Sequence, residues 1–255
     1  GVGILIGPVL HLLDPDEMFG ELLFPLTSLS VAIILFEGSL TLRFREIHGL
    51  RGLILNLVTL GAAINIFVLT AAALYFLHAP IGIALLIGTI ACVTGPTVVA
   101  PMLRAIRPIP AVDKVLRWES IIIDPIGAIL AVIALELLMK EDHAEIGWVL
   151  AKLALSGVLI GMAGALLLGH LLKRHLVPWY LRNVVTLAVL FSVFTASNTI
   201  AHEAGLLAVT VMGVMLANTR GLDMEDVLSF KESLTILLVS LLFIILAARL
   251  DLGSF

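Results

Sequence analysis

The sequence predicts an all-α protein that crosses a membrane many times. Three observations carry this reading. Hydrophobic residues make up 60% of the 255 and charged residues only 13%, whereas a soluble domain is about half apolar and a quarter charged. Apolar runs of about twenty residues, the length that spans a bilayer, recur from end to end. The cations fall in alternate gaps between those runs.

Nine membrane segments follow, at roughly 1–13, 24–42, 52–78, 80–105, 111–139, 146–172, 181–201, 204–218 and 232–250. Arg43, Arg45 and Arg51 follow the second segment, and Arg104, Arg107, Lys114 and Arg117 follow the fourth. Lys173, Arg174 and Arg182 follow the sixth, and Arg220 and Lys231 the eighth. The other gaps are acidic or nearly neutral: Asp14, Asp16, Glu17 and Glu21; His78; Lys140 with Glu141, Asp142 and Glu145; His202 and Glu203. Basic loops stay in the cytoplasm, so the chain is expected to start inside and end outside. A miscounted segment would have broken the alternation.

The single cysteine, Cys92, lies in an apolar run, which leaves no disulfide framework and no cysteine-based metal site. No initiator Met and no charged leader are visible, and the chain is read as a fragment forming one transmembrane transport domain over 1–255.

Asp124 is the residue the chain turns on. It lies well inside the fifth segment, in Trp118–Ala128, W-E-S-I-I-I-D-P-I-G-A. A carboxylate at mid-membrane costs roughly 2.5–3.5 kcal/mol on the insertion scale, so it is expected to face the protein interior and handle an ion or a proton, the alternative being a buried carboxyl held neutral or hydrogen-bonded for packing. Ser120 stands four residues earlier, on the same helical face. A hydroxyl and a carboxylate stacked in this way supply oxygen ligands to a small hard cation such as Na⁺. A back-bond from Ser120 to the carbonyl four residues earlier accounts for that hydroxyl equally well. Pro125 removes a backbone donor and frees a carbonyl one turn back. Glu119 lies on a neighbouring face and reads first as one half of a structural ion pair.

The fourth segment carries A-C-V-T-G-P-T-V-V-A-P, with Thr94 about as deep as Asp124 is in the next segment. Gly95-Pro96 in mid-span predicts a broken helix. Breaks of this kind are tolerated where the freed backbone lines a cavity, and they bring half-helix ends to an ion site. A plain proline kink is the alternative. Thr97 and Pro101 continue the polar and helix-breaking character.

Glu37, in L-F-E-G-S-L near the cytoplasmic end of the second segment, is either an interfacial charge or part of the site. Asn65 reads as a helix–helix hydrogen bond, and Gly157 with Gly161 as a packing face. Asn198, His202 and Glu203 cluster at an outer end, and H-E-A-G-L lacks the second histidine of a zinc-protease helix. His170 and His175 read as solvated interface residues. Neither a phosphate-cradling glycine loop nor a serine-nucleophile elbow is found, so no enzyme is indicated.

These motifs resemble those of a known family. W-E-S-I-I-I-D-P-I-G-A resembles the E-S-x-x-N-D signature of NhaP-type monovalent cation/proton antiporters, relatives of the eukaryotic sodium/proton exchangers. V-T-G-P-T-V-V-A-P-M-L-R is similar to that family's T-D-P-V-A-V stretch. L-F-E-G-S-L is similar to its early acidic motif, and E-A-G-L-L-A-V-T-V-M-G-V-M-L-A-N to its S-G-x-x-A-x-x-x-x-G segment. The four occur in the family's order and cover most of the chain.

The resemblance implies part of an inverted-repeat antiporter fold with a broken crossing helix. By motif order, about one helix of the family fold would precede this chain and three would follow. Asp124 then matches the family's essential aspartate, Ser120 a ligand one turn away, and Thr94 the threonine of the unwound helix. Glu119 matches a glutamate that pairs with an arginine on a later helix, so Arg249 is not its expected partner. Two departures remove polar neighbours: Ile123 stands where the family has asparagine, and Gly95 where it has aspartate.

The expected function is secondary exchange of Na⁺ or K⁺ for H⁺, serving pH homeostasis. Cation and proton compete for Asp124, with Asp124, Ser120 and Thr94 holding the cation transiently and Glu119, Glu37, Gly95, Pro96 and Pro125 in support. A single exchanged carboxylate predicts electroneutral transport. A non-transporting membrane subunit or scaffold, and an uncoupled channel-like cation pathway, are the alternatives. No cofactor and no nucleic acid are expected. The partners are the ions, the lipid bilayer of a bacterial-type cell membrane and, by family analogy, a second copy in a homodimer.

Overall fold

The computed structural model describes residues 2–10, 14–139, 146–174, 176–219, 222 and 225–249, and all regular structure among them is helical. Helix α1 (Val2–Ile4) runs on as a π turn over Leu5–Val9. Helix α2 (Pro15–Phe19) passes through a 3₁₀ turn into α3 (Leu23–Leu40). Helix α4 (Arg51–Asn56) passes through a π turn, Leu57–Gly61, into α5 (Ala62–Phe76). Helices α6 (Ile81–Ala91) and α7 (Pro96–Ile106) are followed by α8 (Pro110–Met139) and α9 (Ile146–Lys173). Helices α10 (Arg182–Ile200), α11 (Ala204–Ala217) and α12 (Glu225–Ala248) complete the chain.

Five stretches are long and apolar enough to cross a bilayer singly: Pro15–Leu40, Arg51–Phe76, Pro110–Leu138, Gly147–Lys173 and Trp179–Ile200. Helices α6 and α7 form one further span, bent by 43° at the break. The shorter apolar helices Ala204–Ala217 and Thr235–Ala248 lie where the last two expected segments fall. Tyr75, Trp148, Trp179 and Tyr180 are exposed near helix ends, where amphipathic rings sit at a membrane interface.

Two expected boundaries move. The second span begins at Pro15, nine residues before the predicted 24, because Asp14 caps it: its Oδ1 accepts from the amides of Asp16 at 3.0 Å and Glu17 at 3.3 Å. Proline at the first helical position and two acids in the first turn complete a helix start. The first expected segment, 1–13, is helical over Val2–Val9, with 11–13 outside the described residues. Also outside them are the acidic loop 140–145, His175 and Arg220.

The packing forms two apolar clusters. One gathers α3, α9, α10 and α11 around Leu35, Phe36, Leu168, Leu190 and Met212. The other joins the end of α3 and the run α4–α5 to α8 through Leu42, Ile54, Val58, Trp118 and Ile121. Helix α11 is short and central. Its residues are apolar nearly all round, and Ala208, Val209 and Met212 are wholly buried. Glycines make its close approaches. A Cβ at Gly157 would meet Leu207 and one at Gly161 the Ala208 carbonyl, which bears out the small-residue packing face. Asn65 differs from expectation. It is exposed on α5 and makes no hydrogen bond among the described residues, since the packed face of α5 is the one turned to α6.

Two long-range links fit the alternating orientation. Arg249 Nε lies 2.9 Å from Asp16 Oδ2, joining the end of α12 to the start of α2 on the expected outer side. Arg249 is therefore not a partner of Glu119. On the basic side, Asn218 at the end of α11 grips the chain just past α3. Its Nδ2 donates to Leu42 O at 2.8 Å and its Oδ1 accepts from Phe44 N at 2.8 Å.

Candidate ion site

The site forms where the connector 92–95, between α6 and α7, crosses the middle of α8. Gly95-Pro96 breaks the helix because proline has no amide to continue the ladder, and Pro96 becomes the first residue of α7. The connector runs antiparallel to α8. A Cβ added at Gly127 would collide with Val93, and one added at Gly95 would lie 3.5 Å from Asp124 Oδ1. The absence of a side chain at 127 lets the connector lie flat on α8, while position 95 leaves open space beside Asp124. The N-terminal end of α7 therefore meets Asp124, and helix α8 continues through Pro125, whose missing amide leaves the Ile121 carbonyl without its helical donor.

Asp124 is half-buried, and its carboxylate makes no hydrogen bond among the described residues. Ser120 is buried, and its hydroxyl donates to Arg117 O at 3.1 Å, three residues back. That donation leaves the hydroxyl's lone pairs free to accept. The back-bonded geometry and a ligand role are thus compatible.

Thr94 differs from expectation. Its hydroxyl donates to Glu119, at 2.8 Å from Oε1 and 3.0 Å from Oε2, instead of turning towards Asp124. The connector thereby gives Glu119 a neutral donor, where the resemblance implies an arginine. Asp124, Ser120, Gly95 and Pro96 are brought together, while Thr94 and Glu119 form a separate pair on a neighbouring face of α8.

A cleft of about 260 Å³ runs from the basic end towards the break, between α3, α7, α8 and α12. Its walls include Glu37, Thr97, Arg104, Arg117, Ser120 and Ser240. Asp124 does not line it; Thr97 and Ser120 stand between. Glu37, near the end of α3, faces this cleft. Arg117 is paired with Asp113 at 3.1 Å, one turn back.

The sequence marks Thr97 as continuing the polar character after the break but does not place it among the expected ligands. A Cβ at Gly95 would lie 3.7 Å from its Oγ1, on the side that also faces Asp124. The available signal was positional: a hydroxyl in the first turn after a break has no helical carbonyl behind it.

These features define a class: an integral, multi-pass helical membrane protein with a discontinuous helix at an intramembrane acid. The chain belongs to the sodium/hydrogen exchanger family, whose transmembrane profile matches residues 2–255. It is 25% identical over 241 residues to the Na(+)/H(+) antiporter NhaH of Halobacillus aidingensis, covering 88% of this chain and 58% of that protein. It is 26% identical over 215 residues to the K(+)/H(+) antiporter NhaP2 of Shewanella sp. (strain ANA-3), covering 82% of this chain and 37% of that one. Its fold matches that of the sodium proton antiporter MjNhaP1 from Methanocaldococcus jannaschii with a TM-score of 0.82 at 22% identity, over 99% of this chain and 63% of that chain. The fold expected from the motifs, broken crossing helix included, is the one observed. The chain spans less than two thirds of the length of these relatives.

Proposed function

We propose that this chain is the transport domain of a secondary antiporter that exchanges a monovalent cation, Na⁺ or K⁺, for H⁺. The observation that carries the reading is Asp124, a carboxylate in mid-span facing the break between α6 and α7 with no hydrogen-bond donor among the described residues. An acid in that position is costly unless it handles an ion or a proton. The family match and the names of the relatives, which include both Na(+)/H(+) and K(+)/H(+) antiporters, support the same reading.

In this mechanism ionised Asp124 holds the cation together with Ser120 and oxygens near Thr94. Protonation of Asp124 removes the charge and releases the cation. Glu119, held by Thr94, supports the connector. Gly95 and Pro96 keep the two half-helix ends at the site, Pro125 exposes a carbonyl beside it, and Glu37 sits on the cytoplasmic path. The protein works in a cell membrane of bacterial type, as a homodimer by family analogy. One exchanged carboxylate makes the exchange one-for-one and electroneutral.

The test uses the full-length protein in proteoliposomes with an imposed pH gradient and Na⁺, K⁺ or Li⁺ outside. Asp124→Asn is expected to abolish exchange while the purified variant keeps its thermal unfolding midpoint within a few degrees. Exchange by that folded variant would refute the site.

A further inference from the structure

We propose that Thr97 is a side-chain ligand of the transported cation, standing in for the acid that this chain lacks at position 95. This rests on the antiport reading of Asp124 and completes its ligand set.

The geometry supplies the first argument. The point one carbon out from Gly95 lies 3.5 Å from Asp124 Oδ1 and 3.7 Å from Thr97 Oγ1. The carboxylate and the hydroxyl thus border one small space, above a backbone that contributes no side chain there.

Hydrogen bonding supplies the second. Many threonine and serine hydroxyls of these helices bond back to their own helix, as Thr89 does to Leu86 O, Ser39 to Leu35 O and Ser120 to Arg117 O. The hydroxyls of Thr70, Ser197 and Thr235, on other helices and not at the break, are buried without a partner among the described residues. Thr97 is the second residue of α7, and the carbonyls three and four residues behind it belong to the unwound connector. Its hydroxyl makes no hydrogen bond among the described residues. A half-buried hydroxyl with no partner at a membrane-embedded site has its oxygen available to a cation or water.

Access supplies the third. Thr97 lines the cleft from the basic end, and Asp124 does not. A cation moving up that cleft meets Thr97 and Ser120 before the carboxylate.

The sequence is consistent with an exchange of ligands. Against T-D-P-V-A-V, this chain reads T-G-P-T-V-V. An acid is lost at 95 and a hydroxyl gained at 97, two residues apart and facing the same space.

Cation KM for Na⁺, K⁺ and Li⁺ at fixed pH, measured with the full-length protein in proteoliposomes, tests this. Thr97→Val should raise KM about tenfold, the scale of a lost ligand, with the maximal rate little changed. Thr97→Ser keeps the oxygen and should keep the wild-type KM. Gly95→Asp in the Thr97→Val background should restore the KM, since Gly95 has room for a side chain and a negative φ of −30°. Unchanged KM for all three cations in folded Thr97→Val, with Asp124→Asn inactive, would overturn the Thr97 assignment alone. Exchange persisting in Asp124→Asn would remove the antiport reading on which it rests.

Discussion

Thr94 Oγ1 stands 2.8 Å from Glu119 Oε1, so the unwound connector is tied to α8 by a bond that bypasses Asp124. This separates two jobs that the sequence left merged. Thr94 holds the connector, and the oxygens beside Gly95 face the proposed ion space. Thr94→Val is expected to destabilise the protein by roughly 1 kcal/mol, the scale of an interhelical hydrogen bond in a membrane. Its thermal midpoint in detergent should fall by a few degrees, and its cation KM should move less than that of Thr97→Val. A larger KM shift in Thr94→Val would reverse the two assignments.

Gly127 is the seat of the connector. A methyl group there would collide with Val93, and overpacking of this kind costs about 1–3 kcal/mol. Gly127→Ala should lower both the exchange rate and the thermal midpoint. Val93→Ala in the same chain removes the colliding side chain and should restore both. A double variant as impaired as the single one would show that the contact is not the cause.

Asn218 is a clamp between the end of α11 and the chain just past α3. Beyond its bonds to Leu42 O and Phe44 N, its Nδ2 also donates to Val214 O at 2.8 Å. The segment it fixes presents Phe44 to Trp118, with ring centroids 5.5 Å apart, so α11 and α8 are linked through it. Asn218→Ala strands one amide and one carbonyl and should cost about 1–3 kcal/mol, read as a lower thermal midpoint. An unshifted midpoint would mean that water replaces the side chain without loss.

Much of this was legible in the chain itself. Gly95-Pro96 marked the break because no backbone ladder passes a mid-span proline unharmed. Asp124 stood out because lipid penalises a carboxylate, and the alternation of cations ordered the spans. The start of the second span was legible but missed: Asp14, Pro15, Asp16 and Glu17 spell a capped helix start, obscured by reading acids as loop. What could not be read was contact across elements. Thr94 meets Glu119 from another helix, and Asn218 meets Leu42 from 176 residues away. No local period encodes either pairing. Thr97 lay between these cases, since its position after the break was visible but its approach to Asp124 was not.

Competition at one carboxylate fixes the sign of the pH dependence. In the proposed mechanism a proton on Asp124 excludes the cation, so lowering the pH should weaken apparent cation binding. Below the pH at which the site is half protonated, KM for Na⁺ or K⁺ should rise about tenfold per pH unit, the slope for one proton displaced by one cation. High cation concentration should restore the maximal rate. Acid inhibition that saturating cation does not relieve would point to a proton acting elsewhere.

The most direct measurement is the number of protons released when Na⁺ or K⁺ is added to the purified full-length protein in weak buffer near the midpoint of the pH profile. Wild-type protein should release protons in proportion to the cation bound, with at most one per cation, and Asp124→Asn should release none. Undiminished proton release from the Asp124→Asn variant, or cation binding by the wild type with no release at any pH, would contradict the account.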